Sequence, residues 1–271
     1  SLDTIKGCCE KYKIDFSSIP KDNIIIVAED LGFLNSKNHG EYLGLRQRPF
    51  FHSDIDSILS EFKNIFTPNL KNKIHDSVYP LPMGIKLGDS EYLESLESVQ
   101  RFMPRHRKKI CYANFSMTSP YRIKVAEWAF RQRHIDAHIY KRYDRHGDDL
   151  RMKEEIFSKK GKLPDTEYFK ELSSYKFCIC PEGNGIDTFR MWECILTNTI
   201  PIAQNNYGNR IFSKIWPMIL VDRYETDDIP NRMLKFLLDF PDHQYDSAWI
   251  YLRDTGFSSM IERIKNECVW S

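Results

Sequence analysis

Apolar runs of four to six residues, each stopped by a turn residue, alternate along this chain with stretches whose apolar positions recur at i, i+3 and i+4. The runs predict buried strands at 23–28, 110–115, 137–140, 177–180, 199–203 and 218–222, with shorter extended pieces in 62–69 and 78–84. The helical spacing predicts helices at 90–101, after Ser119 (an N-cap followed by Pro120), at 167–174, from Asp187 to Ile195, at 229–240 and within 249–268. In 229–240 the expected core face is Met233, Leu234, Leu237 and Leu238, and 205–209 reads as a loop. Strand and helix in alternation predict an α/β fold with parallel pairing. Ligands of such folds sit at the carboxyl ends of the strands.

The chain is organised around residues 177–203, which read as strand, loop, helix, strand. Phe177-Cys178-Ile179-Cys180 is stopped by Pro181. Glu182-Gly183-Asn184-Gly185 turns the chain, with two glycines free to take positive φ. Asp187 or Thr188 is placed to cap a helix whose inner face is Met191, Cys194 and Ile195, and Asn198 to end it in the left-handed region. Arg190 falls in the first turn, where the helix dipole disfavours a cation unless an anion binds there. Glu193 shares its flank, with a carboxylate able to take two ribose hydroxyls. The plainer reading is a solvated i, i+3 ion pair. Arg122 repeats the anomaly at the helix that follows Ser119, so two first-turn arginines in one half of the chain suggest one shared anion.

Composition narrows the class. The 271 residues suit one large domain or two small ones, and a hydrophobic content of 41% suffices for a core. A formal net charge of +1 argues against a general nucleic-acid binder. The basic run 101–109 therefore reads as a solvated linker rather than a nucleic-acid arm. Seven cysteines without a CxxC pair or a Cys/His zinc spacing predict free thiols in a reducing, cytoplasmic compartment and no metal site. No apolar run reaches the length of a membrane span, and no secretory signal is visible. There is no Gly-Lys-Ser/Thr P-loop and no GxGxxG after a strand, which argues against those phosphoryl-transfer and redox classes.

The stretch PEGNGIDTFRMWECILTNTIPI resembles the nucleotide-sugar motif of exostosin-like glycosyltransferases. FTPN and PLPMG are similar to parts of that family's first domain. Two departures stand out: Asn198 where the family commonly has glycine, and a single arginine after the loop. The resemblance implies a GT-B-like fold, two Rossmann-like domains with a cleft between them. The expected division is 1–104 for the acceptor, 105–243 for the nucleotide sugar, and 244–271 as helices returning to the first domain. It implies a nucleoside diphosphate sugar donor, a UDP-sugar such as UDP-xylose, and a glycan acceptor. The expected donor-binding residues are Arg122, Glu182, Gly183, Asn184, Gly185, Asp187, Thr188, Arg190 and Glu193. Family relatives are often membrane-anchored, so a chain that starts at Ser1 without a methionine is also read as an excised catalytic domain.

For the acceptor side, His52 and Asp54 end a strand-like run and are candidate bases for the acceptor hydroxyl. Asp54 reads equally as a helix N-cap. Asp54-Ile55-Asp56 spells DxD, but three-residue matches arise by chance, and no metal or other cofactor is expected. Glu29 and Asp30, after the first strand, are either site acids or caps. The loop after 140 offers Arg142, Arg145 and His146 to an anion. The competing function is a non-catalytic module that binds a glycan or nucleotide.

Overall fold

The computed structural model describes residues 52–86, 89–101, 104, 107–141, 161–183, 185–240 and 256–269, with 6, 10, 15–18, 22 and 24–25 near the start. Glu29, Asp30, Arg142, Arg145, His146 and Asn184 lie outside the described residues.

Two parallel sheets make the frame, the α/β fold with parallel pairing that the sequence predicts. The first holds β1 (Ile24–Ile25), β2 (Ile65–Thr67) and β3 (Val78–Pro80) in that order. Helix α1 (His52–Leu59) precedes β2, and α2 (Ser90–Gln100) follows β3. Asp89 caps α2 by accepting from the Tyr92 N–H.

The second sheet is built from β4 (Lys109–Met117), β5 (Ile135–Lys141), β6 (Tyr175–Cys180), β7 (Ile200–Gln204) and β8 (Ile219–Val221). Their order is β5-β4-β6-β7-β8, all parallel. The connections are α3 (Pro120–Phe130), α4 (Asp165–Ser173), α5 (Phe189–Leu196) and α6 (Tyr207–Ile215), followed by α7 (Ile229–Asp239) and α8 (Gly256–Val269). The chain reverses direction across this sheet between β4 and β6. In open parallel sheets that reversal opens a crevice at the strand carboxyl ends.

The expected strands are present with small shifts of boundary, except that 23–28 is described only at Ile24–Ile25. Ser119 accepts from the Arg122 N–H and Pro120 opens α3, as the sequence predicts. Asn198 is left-handed at φ 62. Its N–H donates to Ile195 O and that of Thr199 to Cys194 O, closing α5 with paired back-bonds.

Three expectations are corrected here. Residues 207–215 are helical, not loop, because Asn206 accepts from the Asn209 N–H and starts α6. On α7 the buried residues are Ile229, Met233 and Phe236, while Leu234 and Leu238 are 55% and 73% exposed. The packing face follows Phe236, which meets Phe177 of β6 edge-on, so the helix is rotated from the face read off its leucines. The basic run is not a plain solvated linker. Arg107 donates to the carbonyls of Ser173, Thr197 and Asn198. It thus neutralises the negative ends of α4 and α5 together.

The two sheets are joined by main-chain bonds. The first N–H groups of α6, from Tyr207 and Gly208, donate to Lys71 O and Leu70 O at 2.9 and 3.0 Å. Helix α8 packs against α6 and reaches β3. Its Lys214 partner on α6 donates to Glu267 O.

Candidate functional site

The loop between β6 and α5 lies at the sheet's reversal point, and its contacts run to both halves of the molecule. Its glycines are explained by close approach. Neither Gly183 nor Gly185 has positive φ, contrary to the expectation from sequence; the positive-φ glycines among the described residues are Gly84 and Gly161. A Cβ on Gly183 would lie 2.7 Å from Nη2 of Arg122, and one on Gly185 would overlap the Asn69 side chain. Glycine is needed because two polar side chains press on the loop backbone.

Asp187 is buried and does not cap α5. Its Oδ2 accepts from the Met83 N–H at 2.6 Å and its Oδ1 from the Trp192 indole N–H at 2.7 Å. The Asp187 N–H donates to Asn69 Oδ1. Burial pushes its carboxyl up to about 7 against the pull of these donors. Thr188 occupies the N-cap position with no side-chain cap bond. The start of α5 is therefore without the expected side-chain cap.

Arg122 is 9% exposed. Its Nε donates to Glu182 O, Nη1 to Ser116 O and Nη2 to Pro181 O, at 2.9, 2.9 and 3.0 Å. These three carbonyls account for a cation in the first turn of α3 without any anion. The guanidinium ties the end of β4 to the loop after β6. Burial, then the charge of Arg190, hold its pKa down to about 10. The two guanidinium groups repel one another.

Arg190 has a different environment. Its side chain is 15% exposed, and its Cζ lies 4.2 Å from the centre of the Tyr168 ring. Among the described residues, Nε and Nη1 are buried and have no hydrogen-bond partner. The nearest carboxylate contact, Nε to Glu193 Oε2, is 3.8 Å, too long for a hydrogen bond. Two buried donors left unpaired cost about 1–3 kcal/mol each. A cation–π contact returns roughly 0.5–2 kcal/mol. An anion at this position would meet the deficit.

Glu193 is on the flank predicted, but it is 4% exposed rather than solvated. Oε1 accepts the Tyr92 hydroxyl at 2.8 Å and Oε2 that of Tyr168 at 2.7 Å. Both oxygens are thus taken by phenols of α2 and α4, not presented to a ribose. Burial raises both phenols far above their usual range, so they stay protonated donors. Sequence reasoning missed these tyrosines. Their i, i+4 neighbours Leu96 and Leu172 mark only a core face of each helix.

Glu182 sits beside the site, its N–H donating to Gln204 Oε1 and its carboxyl raised by burial. His52 and Asp54 fall in α1 rather than at a strand end, and Asp54 is within the first turn, not at the N-cap. Their side chains lie outside the described residues. The described cysteines are free and buried, as expected. Cys178, Cys180 and Cys194 bring their sulfurs within 4.8 Å of one another, a cluster that spacing along the chain did not reveal.

No helix among the described residues is long and apolar enough to cross a membrane. No protein-family model matches the sequence, and no curated protein matches it. Among solved structures the chain is similar to TarM at 10% identity, covering 96% of this chain and 57% of TarM, with a TM-score of 0.45. It is similar to an alpha1,3-fucosyltransferase at 13% identity, covering 83% of this chain and 72% of that one, with a TM-score of 0.37. The chain thus spans a little over half the length of TarM.

Proposed function

We propose that this chain is a glycosyltransferase that moves a sugar from a nucleoside diphosphate sugar to a glycan hydroxyl. The observation that carries the reading is the guanidinium of Arg190, buried with unpaired donors in the first turn of a helix without a side-chain cap. That helix begins where the parallel sheet reverses. Main-chain N–H groups at the start of α5 and the Arg190 fork together suit a diphosphate. Departure of the nucleoside diphosphate concentrates negative charge there, and donors already in place stabilise it most in the transition state. A fixed guanidinium and helix end can supply that neutralisation, so the proposed transfer is metal-independent.

Arg122 acts behind the site by holding the carbonyls of Pro181 and Glu182. An anion on Arg190 also relieves the repulsion between the two guanidinium groups. Glu193 positions Arg190 and Tyr168 rather than binding ribose. The acceptor base belongs on the side of the first sheet, with His52 and Asp54 as its candidates, and an in-line attack there inverts the anomeric centre. The preferred donor is a UDP-sugar such as UDP-xylose, on the resemblance of residues 181–202 alone.

A thermal-shift series with UDP, GDP and their sugars tests the reading. The true nucleotide raises the melting temperature of the unsubstituted chain and leaves that of Arg190→Ala unmoved. A nucleotide that stabilises both proteins equally overturns the assignment of Arg190. Binding without product in the presence of glycan acceptors makes the chain a binding module instead.

A further inference from the structure

Cys178 and Cys180 are two apart on β6, so their side chains leave the same face of the strand. Cys194 lies on α5, in the turn that packs on that face, and all three are at most 4% exposed. The Cys180 and Cys194 sulfurs are 3.6 Å apart, and every pair in the trio is within 4.8 Å. A metal–thiolate bond of about 2.3 Å in trigonal geometry puts sulfurs about 4 Å apart. The trio has the dimensions of such a site.

We propose that Cys178, Cys180 and Cys194 form a buried three-sulfur site for a soft monovalent ion, copper(I). Thiolates select soft ions, and three ligands without a described fourth suit copper(I) better than the tetrahedral preference of zinc. The ion joins β6 to α5, the two elements that flank the loop at the sheet's reversal point. On binding, three S–H bonds break, three S–Cu bonds form, and three protons leave to solvent. No electron is transferred. The resulting anionic centre lies in the field of the Arg190 guanidinium, which acts on both Cys178 and Cys180. Because binding releases protons from the thiols, uptake strengthens with pH.

The test is refolding of the full chain without oxygen in copper(I) held by bicinchoninate. The Cys8→Ser/Cys9→Ser background removes the adjacent pair near the start of the chain. The expected result is one ion per chain, ultraviolet thiolate-to-copper absorption, and three sulfur neighbours by X-ray absorption. Cys178→Ala/Cys180→Ala/Cys194→Ala should weaken capture at least a hundredfold. A copper centre with fewer than three sulfurs, or equal capture by the triple variant, overturns the proposal. If the triple variant does not fold, the sulfur count on the chain with the trio intact decides alone. These readouts do not depend on glycosyl transfer.

Discussion

Asp187 Oδ2 accepts the N–H of Met83 at 2.6 Å, across 104 positions of sequence and from one sheet's territory to the other's. The same carboxyl takes the indole N–H of Trp192, which is fully buried and meets Phe212 and Trp216 edge-on. One side chain thus fixes the loop, the helix after it and the segment following β3.

This carboxyl gives a defined pH dependence. Its folded value near 7 lies above the ordinary 3.8, so between these values the native state holds a proton that the unfolded state releases. The contribution is fully present below about pH 4 and is lost as pH rises through 7. Urea unfolding of the unsubstituted chain and Asp187→Asn should show the difference in stability moving against the unsubstituted chain between pH 4 and 7, then levelling. Parallel pH profiles for the two proteins would remove Asp187 from this role.

Arg190 and Arg122 should separate stability from binding. In the Glu193→Gln background, Arg190→Met removes a buried cation with unpaired donors and strands no carboxylate, so the ligand-free protein should unfold at the same urea concentration as Glu193→Gln or higher. Nucleotide binding should fall by at least a hundredfold. A clear loss of ligand-free stability would make Arg190 a structural residue.

Arg122→Lys should do the reverse. A single ammonium cannot reach the three carbonyls that the guanidinium spans. A destabilisation of about 3 kcal/mol or more is expected from charged hydrogen bonds lost inside the protein. Unchanged unfolding would show that the three carbonyls are satisfied otherwise.

Gly185 and Asn69 form a pair suited to a double-mutant cycle. Gly185→Ala places a methyl group against the Asn69 side chain and should cost about 1–3 kcal/mol by overpacking. Asn69→Gly keeps the left-handed backbone at φ 61 and empties the space. The double variant should be more stable than the sum of the singles predicts, by about 0.5 kcal/mol or more. Strict additivity would mean that the loop yields elsewhere.

Glu193→Gln tests the tyrosine seam. The amide nitrogen cannot accept the hydroxyl that an oxygen accepted from Tyr92 or Tyr168. About 1–3 kcal/mol should be lost. Tyr168→Phe in the same background should cost less than it does alone, because its bond is already compromised.

Local rules made much of the fold legible. Short apolar runs gave the strands, and Ser119 with Pro120, and Asn198, gave two helix ends, because the physics of strand burial and helix termination acts over a few residues. The same rules marked Arg122 and Arg190 as cations against a helix dipole. They did not distinguish the two, and they offered Gly183 and Gly185 a conformational reason where the structure has a steric one.

The sequence by itself determined the α/β alternation, the loop at 181–188 and the unusual placing of both arginines. Tertiary structure alone decided which arginine is satisfied. Arg122 finds three carbonyls brought together by the ends of β4 and β6, whereas Arg190 meets the face of Tyr168 and no hydrogen-bond acceptor among the described residues. It also decided that Glu193 faces two phenols and that three cysteines share one interior. The reason is that the partners come from other elements, up to a hundred positions away, and the pairing exists only once the sheets and helices have packed.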